Sequence, residues 1–225
     1  MSTATQIVAI DGPAGAGKST VARRAAQALG IAFLDTGAMY RAATWYAMHK
    51  GVNLDDPEAL AACTRAMPLT FSEASGGMRV FVDGEDISEA IRTPEVTRQI
   101  YRLDEIPEVR DHLVALQREV GEAAPHVAEG RDIGTVVFPQ AACKIYMDAA
   151  PEERARRRAE ELRAKGQEVD EAALAEEIRQ RDTRAMNREH APLRRADDAI
   201  LLDTTHLDLD AVVEKVVALA KERLC

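Results

Sequence analysis

Cysteine is scarce here: Cys63, Cys143 and Cys225 are the three thiols of a 225-residue chain, far apart and without a CxxC pair. That spacing argues against a disulfide framework or a zinc site, and free thiols suit a reducing cytoplasm. Long apolar runs are also missing, so nothing reads as a membrane span. The first residues lack the basic flank and apolar stretch of a secretion signal, which predicts a cytoplasmic protein. Positive charge is in deficit, with 29 Lys and Arg against 38 Asp and Glu and a net charge of −9. Duplex nucleic acid, whose phosphates need clustered positive charge, is therefore an unsuitable partner. No internal repeat or low-complexity tract is present. The deficit is not uniform, because arginines bunch at 154–163 and again at 179–195. Such bunching serves either a small anion or a solvated helix face.

What is present is an alternation of strands and helices. Ile7-Val8-Ala9-Ile10 has the β-branched, apolar character of a buried parallel strand. Val21, Ala25 and Leu29, four apart, mark a helix that Gly30 ends. A second strand is predicted at Ala32-Phe33-Leu34 and a helix over 39–50. Asp56 caps another helix, with Pro57 in its first turn. The period then changes to two. Leu69 and Phe71, then Met78, Val80 and Val82, alternate with polar residues around Gly76-Gly77, with Asp83-Gly84 after them. That is a hairpin signal, and 68–92 reads as a small β-rich insertion. Thr93-Pro94 restarts helical structure, and Val109, Leu113, Leu116 and Val120 line one helix face. Strands are predicted at 127–128, 144–147 and 199–202, with arginine-rich helices broken near Gly166 between the last two. Asp208 caps a final helix carrying Val212, Val213, Val216 and Leu219. Alternation of this kind predicts an α/β fold, a doubly wound five-stranded parallel sheet with right-handed crossovers.

Gly12-Pro13-Ala14-Gly15-Ala16-Gly17-Lys18-Ser19 sits between the first strand and the first helix, with Thr20 following. Glycines let the backbone wrap closely round phosphate, so that N–H groups and the helix N-terminus face the oxyanions. Lys18 can then reach the β and γ phosphates, and Ser19 can offer its hydroxyl to Mg²⁺. The strand before and the helix after are the setting such a phosphate loop requires. The loop alone does not choose among GTPases, motor ATPases and small-molecule kinases. An Asn-Lys-x-Asp segment for guanine is absent, and no apolar strand ends in an Asp-Glu pair. A short chain with two lobes interrupting its sheet favours a kinase that closes over two substrates.

Asp35-Thr36-Gly37-Ala38-Met39-Tyr40-Arg41 follows the second strand, at the end where ligands bind in such sheets. Arg41 is placed either to meet a phosphate there or to lie exposed on the helix. With these residues the sequence resembles the bacterial cytidylate kinases, a family of nucleoside monophosphate kinases. The resemblance also runs through Gly84-Glu85-Asp86-Ile87-Ser88, Ile91-Arg92-Thr93, Glu129-Gly130-Arg131-Asp132-Ile133-Gly134-Thr135-Val136-Val137-Phe138-Pro139, Lys144-Ile145-Tyr146-Met147-Asp148-Ala149 and the segment 181–188. These stretches keep their order along nearly the whole chain.

The resemblance implies one P-loop kinase domain over 1–225, with a β-rich acceptor-side insertion at about 62–94 and an arginine-rich helical lid at about 152–190. It implies a monomer that transfers the γ-phosphoryl group of ATP to CMP or dCMP. Residues matching Arg41, Arg131 and Arg188 hold the acceptor phosphate in that family, and those matching Thr36, Arg110 and Asp132 read the base. Cytosine suits that set, because its O2 and N3 accept from an arginine and its N4 amino group donates to a carboxylate. Lid arginines Arg157, Arg181 and Arg184 are the candidates, with Lys18, for charge stabilisation; Arg154, Arg163 and Arg179 can as easily face solvent. Either Glu129 or Asp132 can position Mg²⁺. The family also contacts ribose through an aspartate and a serine, together with the residue matching Arg181, but here those two places hold Ala185 and Tyr101. That departure predicts a weaker preference for ribose over deoxyribose. The alternatives are a kinase for UMP or another small acceptor, and a nucleotide-binding module without catalysis.

Overall fold

The computed structural model describes residues 6–74, 77–164 and 166–224. Gly76 of the expected hairpin turn and Cys225 lie outside the described residues. In chain order the first elements are β1 (Ile7–Asp11), α1 (Lys18–Leu29), β2 (Ala32–Asp35), α2 (Thr36–His49) and α3 (Pro57–Ala66). Next come β3 (Leu69–Ala74), β4 (Gly77–Val82), β5 (Glu85–Asp86), α4 (Pro94–Gln99), α5 (Tyr101–Asp104) and α6 (Pro107–Ala123). The chain ends with β6 (His126–Gly130), β7 (Cys143–Asp148), α7 (Pro151–Ala164), α8 (Glu171–Met186), β8 (Ile200–Asp203) and α9 (Leu209–Arg223). Two compact units result, one from Met1–Ala32 with Ala124–Cys225 and the other from Phe33–Ala123.

The main sheet has five strands in the order β2-β6-β1-β7-β8, as the alternation predicts. β1 is central and runs parallel to both neighbours, Ile10 lying beside Glu129 on one side and Ile145 on the other. All five β1 residues are buried, which is why its sequence is an unbroken apolar run that ends in one carboxylate. In α1 the apolar stripe buries Val21, Ala22, Ala25 and Ala26, and Gly30 closes the helix in the left-handed conformation. The last helix, α9, is capped by the Asp208 carboxylate and buries Val212, Val213, Val216 and Ala220.

In the second unit, α2 starts at Thr36, three residues before the expected 39. The Asp35 carboxylate accepts the Ala38 N–H at 2.8 Å and so draws Thr36 and Gly37 into the first turn. The period-two segment forms an antiparallel sheet in the order β3-β4-β5, pairing Leu69 with Val82 and Phe71 with Val80. Its third strand is only Glu85–Asp86, too short to leave a periodic signal. Thr93 caps α4 through the Val96 N–H, with Pro94 in the first turn.

Candidate active site

In the first unit the chain leaves β1 at Asp11 and turns through residues 12–17 into α1. Gly12 has φ +149°, and a Cβ there would lie 2.0 Å from the Met147 carbonyl oxygen, so backbone packs where any other residue keeps its side chain. Gly15 has φ +77° and would bring a Cβ to 2.9 Å from the Arg154 carbonyl oxygen. The Lys18 ammonium donates to the Pro13 carbonyl at 2.8 Å, folding back along the loop. Burial pushes its pKa down; the Glu129 carboxylate opposes that push, and Arg131 adds to it. Ser19, exposed in the first turn of α1, donates its hydroxyl to Glu129 Oε1 at 2.6 Å. Thr20 is exposed beside it. Of the two carboxylates considered for Mg²⁺, Glu129 is therefore the one the hydroxyl meets.

The segment after β6 is held from β1. Asp11 accepts the Ile133 N–H on Oδ1 and the Gly134 N–H on Oδ2, both at 2.7 Å. Those residues begin a π-helical turn, Ile133–Val137, that directly follows Arg131 and Asp132. Burial pushes the Asp11 carboxyl up from 3.8 to about 7, against both N–H groups; Asp132 reinforces the rise and Lys18 opposes it. Asp132 is buried and Arg131 half-buried, and Arg131 Nη1 donates to the Arg181 carbonyl at 3.3 Å.

The arginine-rich helices sort into distinct roles. Arg154, expected as readily on the surface, is buried: it donates to the Ala149 carbonyl at 3.1 Å and the Ala14 carbonyl at 2.9 Å. It also forms an ion pair with Asp182, whose other oxygen accepts the Ala14 N–H at 2.9 Å. Of the two placements left open for Arg154 the buried one holds, because α7 packs its backbone against Gly15. Arg163 and Arg179 do face solvent, beside Glu171 and Glu176. Arg157 pairs with Glu153 and donates to Thr204 Oγ1 at 3.0 Å and the Thr204 carbonyl at 2.5 Å. Arg181 is half-buried and Arg184 exposed on α8, while Arg188 donates to the Ala191 carbonyl at 2.9 Å. Ala185 is buried with Tyr146 and Leu193 in an apolar cluster.

In the second unit, Asp35 is 1% exposed and accepts Arg41 Nη2 at 2.9 Å and Arg92 Nη2 at 3.4 Å on one oxygen. Two guanidiniums thus converge at the N-terminus of α2, where Thr36 is buried. Arg110 is buried too, donates to the Asp104 carbonyl at 3.3 Å and stacks over the Tyr40 ring at 5.7 Å. Tyr101 is half-buried with Arg102 over its ring. Thr36, Arg41 and Arg110 thus belong to this unit, and Arg131, Asp132, Arg181 and Arg188 to the first. Sequence reasoning missed Asp11, Arg92, Arg154 and Asp182 as parts of these arrangements. A lone carboxylate ending an apolar strand, as Asp11 does, was the one available signal.

The family pattern for cytidylate kinase matches residues 8–222. A bifunctional pantoate ligase/cytidylate kinase of Synechococcus is 48% identical over 221 residues, covering 97% of this chain and 41% of that protein. The chain thus spans about two fifths of the length of the bifunctional relatives it matches. A cytidylate kinase of Pseudomonas aeruginosa is 48% identical over 219 residues, covering 96% of each chain. Among solved structures, an uncharacterized protein from Eubacterium ventriosum aligns over 96% of this chain and 98% of its own with a TM-score of 0.51. At 13% identity that likeness bears on the fold alone.

Proposed function

The chain belongs to the cytidylate kinase family, and from that premise we propose that it transfers the γ-phosphoryl group of ATP to CMP or dCMP, giving CDP or dCDP and ADP. The observation that carries this is the phosphate loop at the carboxyl end of β1, with Lys18 folded along it and Ser19 bonded to Glu129. Phosphoryl transfer asks little covalent chemistry of a protein and much alignment and charge stabilisation. Loop N–H groups and Lys18 hold the donor phosphates, and Arg157, Arg181 and Arg184 stabilise the charge that develops on the transferring group. The acceptor is already a phosphate anion near neutral pH, so no general base is required.

The donor set suits Mg²⁺. A hydroxyl backed by a carboxylate offers hard oxygen ligands, and among the described residues no group of three or more His, Cys, Asp or Glu forms a cage for a metal. Ser19 and Glu129 would hold Mg²⁺, and its charge would neutralise the donor phosphates. For the acceptor, Arg41, Arg131 and Arg188 take the phosphate while Thr36, Arg110 and Asp132 read cytosine, an assignment that rests on the family resemblance alone. Among the described residues no helix is long and apolar enough to cross a membrane. The enzyme works as a cytoplasmic monomer on small nucleotides, without nucleic acid.

Coupled ADP release with CMP, dCMP, UMP and AMP, with and without Mg²⁺, tests the proposal. CMP and dCMP should turn over with kcat/KM within about threefold of each other, as loss of the ribose contacts at Tyr101 and Ala185 implies. UMP should fall at least about 100-fold lower, because its carbonyl meets Asp132 where a donor is needed. UMP faster than CMP overturns the assignment of Asp132. ATP binding without ADP release from any monophosphate leaves a nucleotide-binding module.

A further inference from the structure

Ala14 is held at both of its backbone polar groups by residues far away in sequence. Its N–H donates to Asp182 Oδ1 at 2.9 Å and its carbonyl accepts from Arg154 Nη1 at 2.9 Å. Asp182 and Arg154 are 5% and 7% exposed and paired with each other. Arg154 also spends its Nε on the Ala149 carbonyl, and its own carbonyl oxygen lies where a Gly15 side chain would sit. A buried pair of this kind is poor evidence for stability, since an apolar pair of similar volume often serves as well. Stability is therefore a weak reason for polar groups at these two positions, whereas grip on a loop peptide requires a hydrogen-bond acceptor and a donor there. Ala14 carries no polar side chain to fix its own conformation, and Gly12, Gly15 and Gly17 on either side all have positive φ. A glycine-rich loop of that kind has many conformations to lose before its N–H groups converge on a phosphate.

We propose that Arg154 and Asp182 are positioning residues for the phosphate loop: they clamp Ala14 so that the N–H groups from Gly15 onward are aimed before nucleotide arrives. The same pair fastens α7 and α8 to the loop, and α8 carries Arg181 and Arg184. The clamp thus sets the register between the loop and the arginines expected at the transferring phosphoryl group. A polar grip on both sides of one residue explains why neither position is apolar. The inference rests on the loop's binding nucleotide triphosphate and goes beyond the identity of the acceptor.

The test separates grip from stability. The double variant Arg154→Met/Asp182→Leu replaces the pair by apolar side chains of similar size and should recover a Tm within a few degrees of wild type. With Ala14 unclamped, its KM for ATP and its calorimetric Kd for ATP should each rise roughly tenfold, with the KM for CMP within about twofold of wild type. Wild-type ATP affinity in a folded double variant would overturn the proposal, as would equal loss for both substrates. Asp182→Asn and Asp182→Ala, read below their unfolding temperatures, keep the test decisive if the double variant does not fold. An asparagine keeps one oxygen for the Ala14 N–H and gives up the ion pair with Arg154, which retains its bond to the Ala14 carbonyl. Its Kd for ATP should therefore shift less than about threefold, while alanine shifts it roughly tenfold. Equal Kd values in those two variants would also overturn the clamp. Wild-type protein that binds ATP but never phosphorylates CMP would sink the proposed function and leave this measurement intact.

Discussion

Asp11 makes the stability of the folded chain depend on pH in an unusual direction. Its carboxyl stands at about 7 in the folded protein against 3.8 for the free side chain, because burial outweighs the two N–H groups it accepts. Between those values the folded state holds a proton that the unfolded chain has released. Stability from this group is therefore greatest at low pH, declines as pH rises through the window from about 4 to about 7, and is level above it. Three pH units at about 1.4 kcal/mol each set a ceiling of about 4 kcal/mol. For a chain of this length that corresponds to roughly 10 °C in Tm. Asp11→Asn supplies the comparison, since it keeps an oxygen for one N–H group and does not titrate. Thermal unfolding of both proteins from pH 4.5 to 8.5 should show the wild type losing ground to the variant as pH rises, with the change flattening near 7. Titrating groups that do not interact with Asp11 cancel in the difference, whereas Asp132 and Lys18 do interact with it. Parallel curves across the whole range would refute the reasoning and imply that Asp11 stays ionised in its buried position.

Lys18→Ala should lower kcat/KM by about 100-fold or more without changing the circular dichroism spectrum, because it removes charge stabilisation and leaves the glycine backbone in place. Glu129→Gln should raise the Mg²⁺ concentration for half-maximal rate by about 10- to 100-fold, since the Ser19 hydroxyl loses its charged partner; an unchanged Mg²⁺ requirement moves that role elsewhere. Gly12→Ala would force a Cβ to 2.0 Å from the Met147 carbonyl and should cost about 3 kcal/mol or more in urea unfolding, whatever its effect on activity.

The central strand, the glycine-rich turn into α1 and the cap of α3 were legible in sequence because each is a local code: an apolar run, glycine spacing, and Asp56 before Pro57. Asp35 as cap of α2 was missed because its carboxylate serves three donors at once, the Ala38 N–H and the Arg41 and Arg92 guanidiniums. Burial of Arg154 was illegible for a different reason. Its partners Ala14 and Asp182 stand 140 and 28 residues away, and nothing in helical periodicity separates it from Arg156 or Arg158, which pair with Glu160 and Glu161 at the surface. Arg110 is the same case, since a charged helix face hides one arginine stacked on Tyr40. Long-range contacts of this kind set the chemistry of a site while leaving the local pattern unchanged.

Transfer of label from γ-³²P-ATP is the most direct test of the central claim. With CMP and Mg²⁺, chromatography should recover the label in CDP, one equivalent of ADP forming for each, and Lys18→Ala should lower the rate of both products in step by about 100-fold or more. Label that appears only as inorganic phosphate, or moves to UMP in preference to CMP, would contradict the assignment of this chain as a cytidine monophosphate kinase.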